Sequence, residues 1–476
     1  MFIGRQHELA QMNSVLARPA ASMIVIKGRR RIGKSRLIKE FIKPFTSYVF
    51  MGLPPTDIAS AQDQRDEFSR QFKQQFSFSS TSHDWGDLFT LLAKQCVKGR
   101  VIIVFDEISW MATGDRNFLG KLKTVWDLHF SENPELILIL CGSVSAWIEK
   151  NILSNTGYLG RPSLHMTIDE LPLEDCYKFW KNKNAHISSF EILKTLSITG
   201  GVPRYLELIN PTLTAEDNIS TLCFNKNSAL YDEFKYIFSD IYGKRSPLYQ
   251  EIVCRLASCR STRDELRQAG GLAIGGDITE YLYDLELGGF IEKESTWNMA
   301  TKHISTLGHY RLRDCYTRFY LKYILPNQTK IMAEQFKEVS INHLPGWHAL
   351  LALQFENLVI NNSQKIIELL GIRPEDIILS GPYFQRKTTR HKGCQIDFMI
   401  QTKHDVVYLC EIKFKREEIG ADIIAEVKEK ILCLKLPKYV SRRAVLIHVN
   451  GVKDAVSDAD YFSAIIDFGH FLTQDF

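Results

Sequence analysis

Three stretches of the chain are apolar at nearly every position: "SMIVIK" from Ser22, "VIIVF" from Val101 and "LILIL" from Leu136. Unbroken runs of this length predict strands buried on both faces, as in a parallel sheet covered by helices. From about Leu171 to Lys235 apolar residues recur instead at three- and four-residue spacings, which predicts helices. "YQEIVCRLAS", "TRDELRQAG" and "ITEYLYDLELGGFIEK" then read as helix, helix, and helix followed by strand, with Gly288-Gly289 at the last turn. Further on, "ALLALQFENLVINN" predicts a helix and "EDIILSGPYFQRKTTRHKGCQIDFMIQ" strands around a basic loop. "DVVYLCEIKF" predicts a strand, "IGADIIAEVKEKILCLK" a helix and "RRAVLIHVNG" a final strand.

The chain has 476 residues, too many for one core, and two to four domains are expected. Repeats and low-complexity linkers are absent from the sequence, so close packing between domains is expected. With 59 basic and 55 acidic residues the net charge is +4, so a nucleic-acid surface would be a local patch. Ten scattered cysteines point to a reducing compartment, without the spacing of a structural zinc site. The start carries charges where a signal peptide would be apolar, and the apolar runs are too short to span a membrane. A cytoplasmic protein with no membrane partner is expected.

The first apolar strand runs into Gly28-x-x-x-x-Gly33-Lys34-Ser35 and then a helix. This is a P-loop in its confirming context: backbone N–H groups and the helix N-terminus converge on phosphate oxygens. Lys34 would reach the β- and γ-phosphates and Ser35 would bind Mg²⁺. Arg31 and Arg36 are counted with the nucleotide-contacting residues. For Arg29, Arg30 and Arg31 two readings stand, a solvated cluster or a positive field around triphosphate. "RVIIVFDEISW" supplies the carboxylates, Asp106 for the Mg²⁺ shell and Glu107 to polarise water. "ELILILCGSVS" ends at Ser143, a sensor of the γ-phosphate or a cap for the next helix. ATP or GTP binding is expected.

"FIGRQHEL", "KGRRRIGKS", "VFDEIS", "CGS", "YLGRPS" and "ITGGVPRYL" follow the order seen in the archaeal-type ATPases, which this sequence resembles. These are relatives of the AAA+ and STAND nucleotide switches. The resemblance implies that Ile3, Gly4 and Arg5 lie near the adenine pocket. It implies a γ-phosphate role for Arg161, in cis or across a subunit contact of a homo-oligomer, and a helical lid in which Arg204 is a second sensor. The family commonly carries a winged helix where the three helices and strand are predicted. Here the third helix holds Asp277, Glu280, Asp284 and Glu286, which would repel a DNA backbone, so a packing role is favoured over base reading. Arg260, Arg263 and Arg267 before it read as a solvated face. "HYRLRDCYTRFYLKYILP" matches a family linker segment, and its aromatics read as core.

The C-terminal order of helix, three strands, helix and strand is that of the PD-(D/E)xK nuclease core, with Asp397 and then Glu411-x-Lys413 as its signature. Two carboxylates on adjacent strands would hold Mg²⁺ or Mn²⁺, and Lys413, two residues on, shares the face of Glu411. The competing reading is a salt bridge of these residues on an edge hairpin. The resemblance suggests Glu356 as an outer carboxylate. Arg386, Lys387, Arg390 and Lys392 would hold a phosphate backbone.

The expected fold is thus multidomain α/β. It has a P-loop NTPase parallel sheet (1–165), helical lid (166–235), winged helix (236–300), connector (301–345) and restriction-endonuclease-like domain (346–476). The expected activity is an ATP-driven switch coupled to a metal-dependent site acting on nucleic acid. The alternatives are a switch whose C-terminal domain binds nucleic acid or protein without cutting, and a GTP-dependent regulator.

Overall fold

The computed structural model describes residues 2–54, 60–77, 82–180, 187–269, 278–336, 339–387, 389 and 392–472. The N-terminal sheet is parallel and ordered β2-β3-β4-β1-β5, from β1 (Ser22–Lys27), β2 (Thr46–Met51), β3 (Val101–Asp106), β4 (Ile137–Gly142) and β5 (Pro162–Thr167). The three apolar runs form the central strands β1, β3 and β4, each buried along its length. Strands β2 and β5 are the edges, mostly half-exposed, and their mixed sequences carry no strand signal. This order puts β4 between the loop-bearing β1 and the carboxylate-ended β3, so all three strand ends open on one rim.

Helix α1 (Gln6–Val15) precedes the sheet and α2 (Lys34–Ile42) follows the phosphate loop. Helices α3 (Ser189–Thr199), α4 (Pro203–Leu206) and α5 (Glu233–Tyr242) belong to the helical stretch that packs over the loop. Next come α6 (Ser246–Ser258), β6 (Ser261–Thr262), α7 (Arg263–Ala269), α8 (Ile278–Leu287), β7 (Ile291–Trp297) and β8 (Ile304–Leu312). Their strands form an antiparallel sheet ordered β6-β8-β7. Two acids of α8 are spent internally: Asp284 accepts from the Tyr249 hydroxyl, and Glu286 accepts from the Lys293 N–H at 2.9 Å, whereas Glu280 is exposed, 3.7 Å from Arg245. Asp277 lies outside the described residues. Arg260 is not part of a solvated face; it is half-buried in an ion-pair network described below.

After α9 (Cys315–Phe319), whose Tyr316, Phe319 and neighbouring Tyr320 are core residues, α10 (Trp347–Asn361) leads into the C-terminal sheet. That sheet is ordered β13-β12-β11-β10-β9, from β9 (Ile377–Gln385), β10 (Cys394–Thr402), β11 (Val406–Ile412), β12 (Ser441–His448) and β13 (Ala464–Asp467), with α11 (Asp422–Cys433) joining β11 to β12. Strands β9, β10 and β11 pair antiparallel, whereas β11, β12 and β13 are parallel. Glu411 therefore sits on the central strand, not on an edge hairpin.

The modules share cores. Trp297 and Met299 of the β7–β8 hairpin pack with Tyr383, Ile396 and Met399 of the C-terminal sheet. Phe190 of α3 stacks on Phe414 beyond β11, with ring centroids 4.7 Å apart. Among the described residues no helix is long and apolar enough to cross a membrane.

Candidate functional site

At the end of β1, Gly28 adopts φ +152°, and a Cβ there would meet the Ile168 carbonyl oxygen at 2.3 Å. Only glycine fits so close to the residue that follows β5. Gly33 starts α2 at φ +93°. Arg31 also adopts a positive φ, 70°, which costs a non-glycine residue about 1–3 kcal/mol unless its surroundings hold it. Two bonds to the buried Glu233 carboxylate, at 2.9 and 3.2 Å, do so. The buried Lys34 closes the loop on itself, its Nζ donating to the Gly28 and Arg29 carbonyls at 2.8 and 3.0 Å.

Each loop arginine is ion-paired, Arg29 buried, and Arg30 and Arg31 half-exposed where they line the cavity beside Lys34 and Ser35. Arg29 is buried and paired with Asp314 at 2.8 and 3.4 Å, with Glu170 3.7 Å away and the Phe290 ring beneath it at 5.5 Å. Burial alone would lower its pKa, but Asp314, Tyr205 and Glu170 together hold it above the ordinary value. Arg30 pairs with Asp240 and Arg31 with Glu233. These two acids are seven residues apart on α5, two turns and thus one face, which is the signal the sequence offered.

Asp106 is buried at the end of β3 and accepts from the Glu107 N–H at 3.1 Å. Glu107 is itself left-handed, φ 53°, and its Oε2 accepts from the Ser143 N–H at 2.9 Å and the Ser143 hydroxyl at 2.8 Å. Ser143 is thus a holder of Glu107. A cavity of about 290 Å³ joins Lys34, Ser35, Arg36, Glu107, Arg204 and Glu207. Glu207 engages both Arg36 and Arg204, the latter at 3.4 Å. A narrow cleft beside it is lined by Ile3, Arg5, Ile32 and Phe179. Arg5 is committed within it, donating to Glu8 at 2.8 Å, to the Ile32 carbonyl at 3.1 Å and to the Asp169 carbonyl.

The expected cis role of Arg161 is not met in this chain. Arg161 precedes β5, whose other end, Thr167, pairs with Lys27 beside the loop. At about 3.3 Å per residue that strand separates Arg161 from the loop by about 20 Å. Its guanidinium binds both Asp127 oxygens at 2.9 and 2.8 Å, drawing that carboxyl down to about 2, with help from Lys123.

In the C-terminal sheet Asp397 and Glu411 lie on neighbouring strands. The β9–β10 register slips between Ile396 and Met399, a bulge that re-aims Asp397. Its Oδ2 accepts from the Ile412 N–H at 2.9 Å. Burial, then the charges of Glu411 and Glu356, push its carboxyl up to about 7. Glu411 is buried and held by two ammonium groups, Lys413 at 2.9 Å and Lys430 at 2.6 Å to each oxygen. Lys413 and Lys430 also face Glu426, at 2.7 and 3.6 Å. A cavity of about 520 Å³ opens onto Asp397, Glu426 and Lys430.

Glu356, close enough to act on Asp397 through its charge, is engaged by Arg260. Its Oε1 accepts from Arg260 at 2.6 Å, and Arg260 also faces the buried Glu294 at 3.1 Å. Among the described residues no three His, Cys, Asp or Glu side chains converge as metal ligands, so Glu356 does not complete a triad with Asp397 and Glu411. Lys430 escaped the sequence reading, and Arg260 was read only as a solvated side chain, because each reaches its carboxylate from a different element. The Glu426–Lys430 spacing of one helical turn was the available hint for the first. Of the basic loop, Arg386, Lys387 and Lys392 are exposed and Arg390 lies outside the described residues.

Residues 2–209 match the family model of an ATPase domain predominantly from Archaea, which spans the loop, both carboxylates and α4. The uncharacterized protein MJECL04 of Methanocaldococcus jannaschii is 25% identical over 420 residues, covering 87% of this chain and 88% of its own. Among solved structures, the Walker-type ATPase PABY2304 of Pyrococcus abyssi covers 67% of this chain and 96% of its own, at 17% identity and a TM-score of 0.47. ORC2 of Aeropyrum pernix, in ADPNP–ADP complexes, covers 69% and 93%, at 14% identity and a TM-score of 0.41. The N-terminal part of the chain is similar to an archaeal ATPase domain, and an additional sheet domain follows it.

Proposed function

We propose that the chain is an ATP-hydrolysing switch whose state is passed to a metal-dependent, nuclease-like site in the C-terminal sheet. The observation that carries this reading is a series of buried and half-buried ion pairs between the two sites. Arg29 of the loop binds Asp314. Three residues back on the same segment, buried Arg311 binds Glu294, whose other partner Arg260 holds Glu356 beside Asp397. Charges so buried cannot change partners singly without large cost, so the relay favours two discrete arrangements over a gradual drift.

In this account ATP takes the place of the Gly28 and Arg29 carbonyls at Lys34, while Ser35 and Asp106 hold Mg²⁺. Glu107 orients water, and Arg36 and Arg204 reach the phosphates from the Glu207 side. Ile3 and Arg5 frame the base. Arg161 acts only across a contact with a second copy, after leaving Asp127. The hydroxyl of Ser35 and the carboxylate of Asp106 are hard oxygen donors suited to Mg²⁺. Glu107→Gln is expected to lower ATP turnover about 100-fold or more while ATP still binds, and Ser143→Ala about tenfold, in steady-state phosphate release.

The helix–strand–helix–helix–hairpin order of residues 246–312 is read as a winged helix that packs rather than reads bases. The C-terminal sheet, with α10 before it and α11 within it, is read as a PD-(D/E)xK core acting on nucleic acid. The Asp397–Glu411 pair suits a hard divalent cation completed by water. Such a cation, Mg²⁺ or Mn²⁺, would supply Lewis-acid charge neutralisation at a phosphate. Asp397 and Glu411 would hold it, Lys413 would steady the phosphate, and Lys430 must yield its bonds to Glu411. Lys430→Met is therefore expected to tighten Mn²⁺ binding about tenfold, roughly 1.4 kcal/mol, by electron paramagnetic resonance titration, and Asp397→Ala to abolish it.

One observation favours a second reading, a switch that binds nucleic acid without cutting. Glu411 is neutralised by two lysines and, among the described residues, lacks a converging third ligand. Mn²⁺ that fails to bind both wild type and Lys430→Met would select that reading.

A further inference from the structure

A cavity of about 660 Å³, separate from the two above, lies where the β7–β8 hairpin meets the C-terminal sheet. Its volume is that of a small-molecule pocket, about 300–1,000 Å³. Its walls are aromatic: Trp297, Tyr383, Phe384 and His309. The Trp297 indole is fixed, donating to Gln401 at 2.8 Å and meeting the Tyr383 ring edge-on at 5.2 Å. Exposed Arg386 and Lys435 stand at the rim, and no carboxylate lines the cavity among the described residues. Burial first, and then the cations Arg386 and Arg260, lower the His309 pKa against the pull of Glu265. Its neutral ring, half-buried against Phe384, therefore offers one donor and one acceptor.

We propose that this cavity binds a nucleotide unit, its base among Trp297, Tyr383 and Phe384 with His309 at the base edge, and its phosphate on Arg386 and Lys435. Flat aromatic walls take any base by stacking, and two unopposed cations select an anion over a neutral apolar ligand. The cavity also adjoins the Asp397 site. Gln385, in its wall, pairs across the β9–β10 ladder with Cys394 and donates to the Cys433 carbonyl at 2.7 Å; both cysteines line the Asp397 cavity. A strand seated here would run its next phosphates toward Asp397. That extension rests on the nucleic-acid reading, whereas the nucleotide site does not.

The test uses the full chain in a Lys34→Ala background, which silences the P-loop, and in EDTA, so that no metal site takes part. Binding of a fluorescein-labelled ten-residue oligothymidylate is followed by anisotropy, and binding of uridine and adenosine monophosphates by calorimetry. Saturable binding is expected, weakened at least tenfold by Arg386→Glu, by Lys435→Glu and by Phe384→Ala. The first two replace exposed side chains and test charge without disturbing the core. Tight oligonucleotide and weak monophosphate binding makes the source a strand, and the reverse makes it a free nucleotide. Absence of binding to either probe, or variants that bind as the parent does, overturns the proposal. Because the readout needs neither metal nor cleavage, it stands or falls apart from the nuclease-like reading.

Discussion

Asp314→Asn is expected to destabilise the protein by about 3–5 kcal/mol, the range for removing one partner of a buried ion pair. Asp314 is 1% exposed and Arg29 4% exposed, so the guanidinium stays charged and, among the described residues, only Glu170, 3.7 Å away, is left to oppose it. Asparagine keeps the cap that Asp314 gives α9 through the Thr317 N–H at 3.2 Å, so the loss reports charge and not capping. Pairing it with Arg29→Met should recover most of the loss, because the orphaned charge goes with its partner. Urea unfolding followed by tryptophan fluorescence measures all three variants. A loss below about 1 kcal/mol, the scale of exposed pairs, would mean that the loop is not pinned in this way.

Asp397→Asn is expected to do the opposite and stabilise the metal-free protein above neutral pH. The folded state holds the Asp397 carboxyl up at about 7, mainly through burial and then through Glu411 and Glu356. A carboxyl raised on folding leaves stability intact below its unfolded pKa, near 3.9, and erodes it as pH climbs through the folded value. At 1.36 kcal/mol per pH unit the erosion amounts to roughly 2–4 kcal/mol by pH 8. Asparagine keeps an oxygen for the Ile412 N–H and never ionises. Variant and wild type should therefore unfold alike at pH 4 and separate at pH 8, with the variant more stable. Equal stability at both pH values would mean that Asp397 is not desolvated by its site.

Much of this architecture was legible because burial writes itself into apolar runs. Strands β1, β3 and β4, covered on both faces, need no polar residue, and the loop motif between β1 and α2 fixes the phosphate end. Edge strands β2 and β5 are only partly buried and mix polar with apolar residues, and β13 has only four residues, so none gave a signal. Asp397 and Glu411 stood out as carboxylates inside apolar strands. What encloses them did not, since Lys430 comes from α11 and the clamp on Glu356 from Arg260, nearly a hundred residues earlier. The three loop arginines show the same limit. Consecutive in sequence, they end on Asp314, Asp240 and Glu233, contacts that only the tertiary packing of α5 and the segment before α9 creates.

The most direct test of the proposed coupling between the two sites is cleavage of plasmid and single-stranded substrates in Mg²⁺ or Mn²⁺, with and without ATP. Wild type, Lys34→Ala and Asp397→Ala would be compared side by side. The account predicts metal-dependent cutting by wild type that responds to ATP, loss of that response in Lys34→Ala, and no cutting by Asp397→Ala while its ATP hydrolysis persists. Cutting by Asp397→Ala equal to wild type, or wild-type cutting indifferent to ATP, would contradict it.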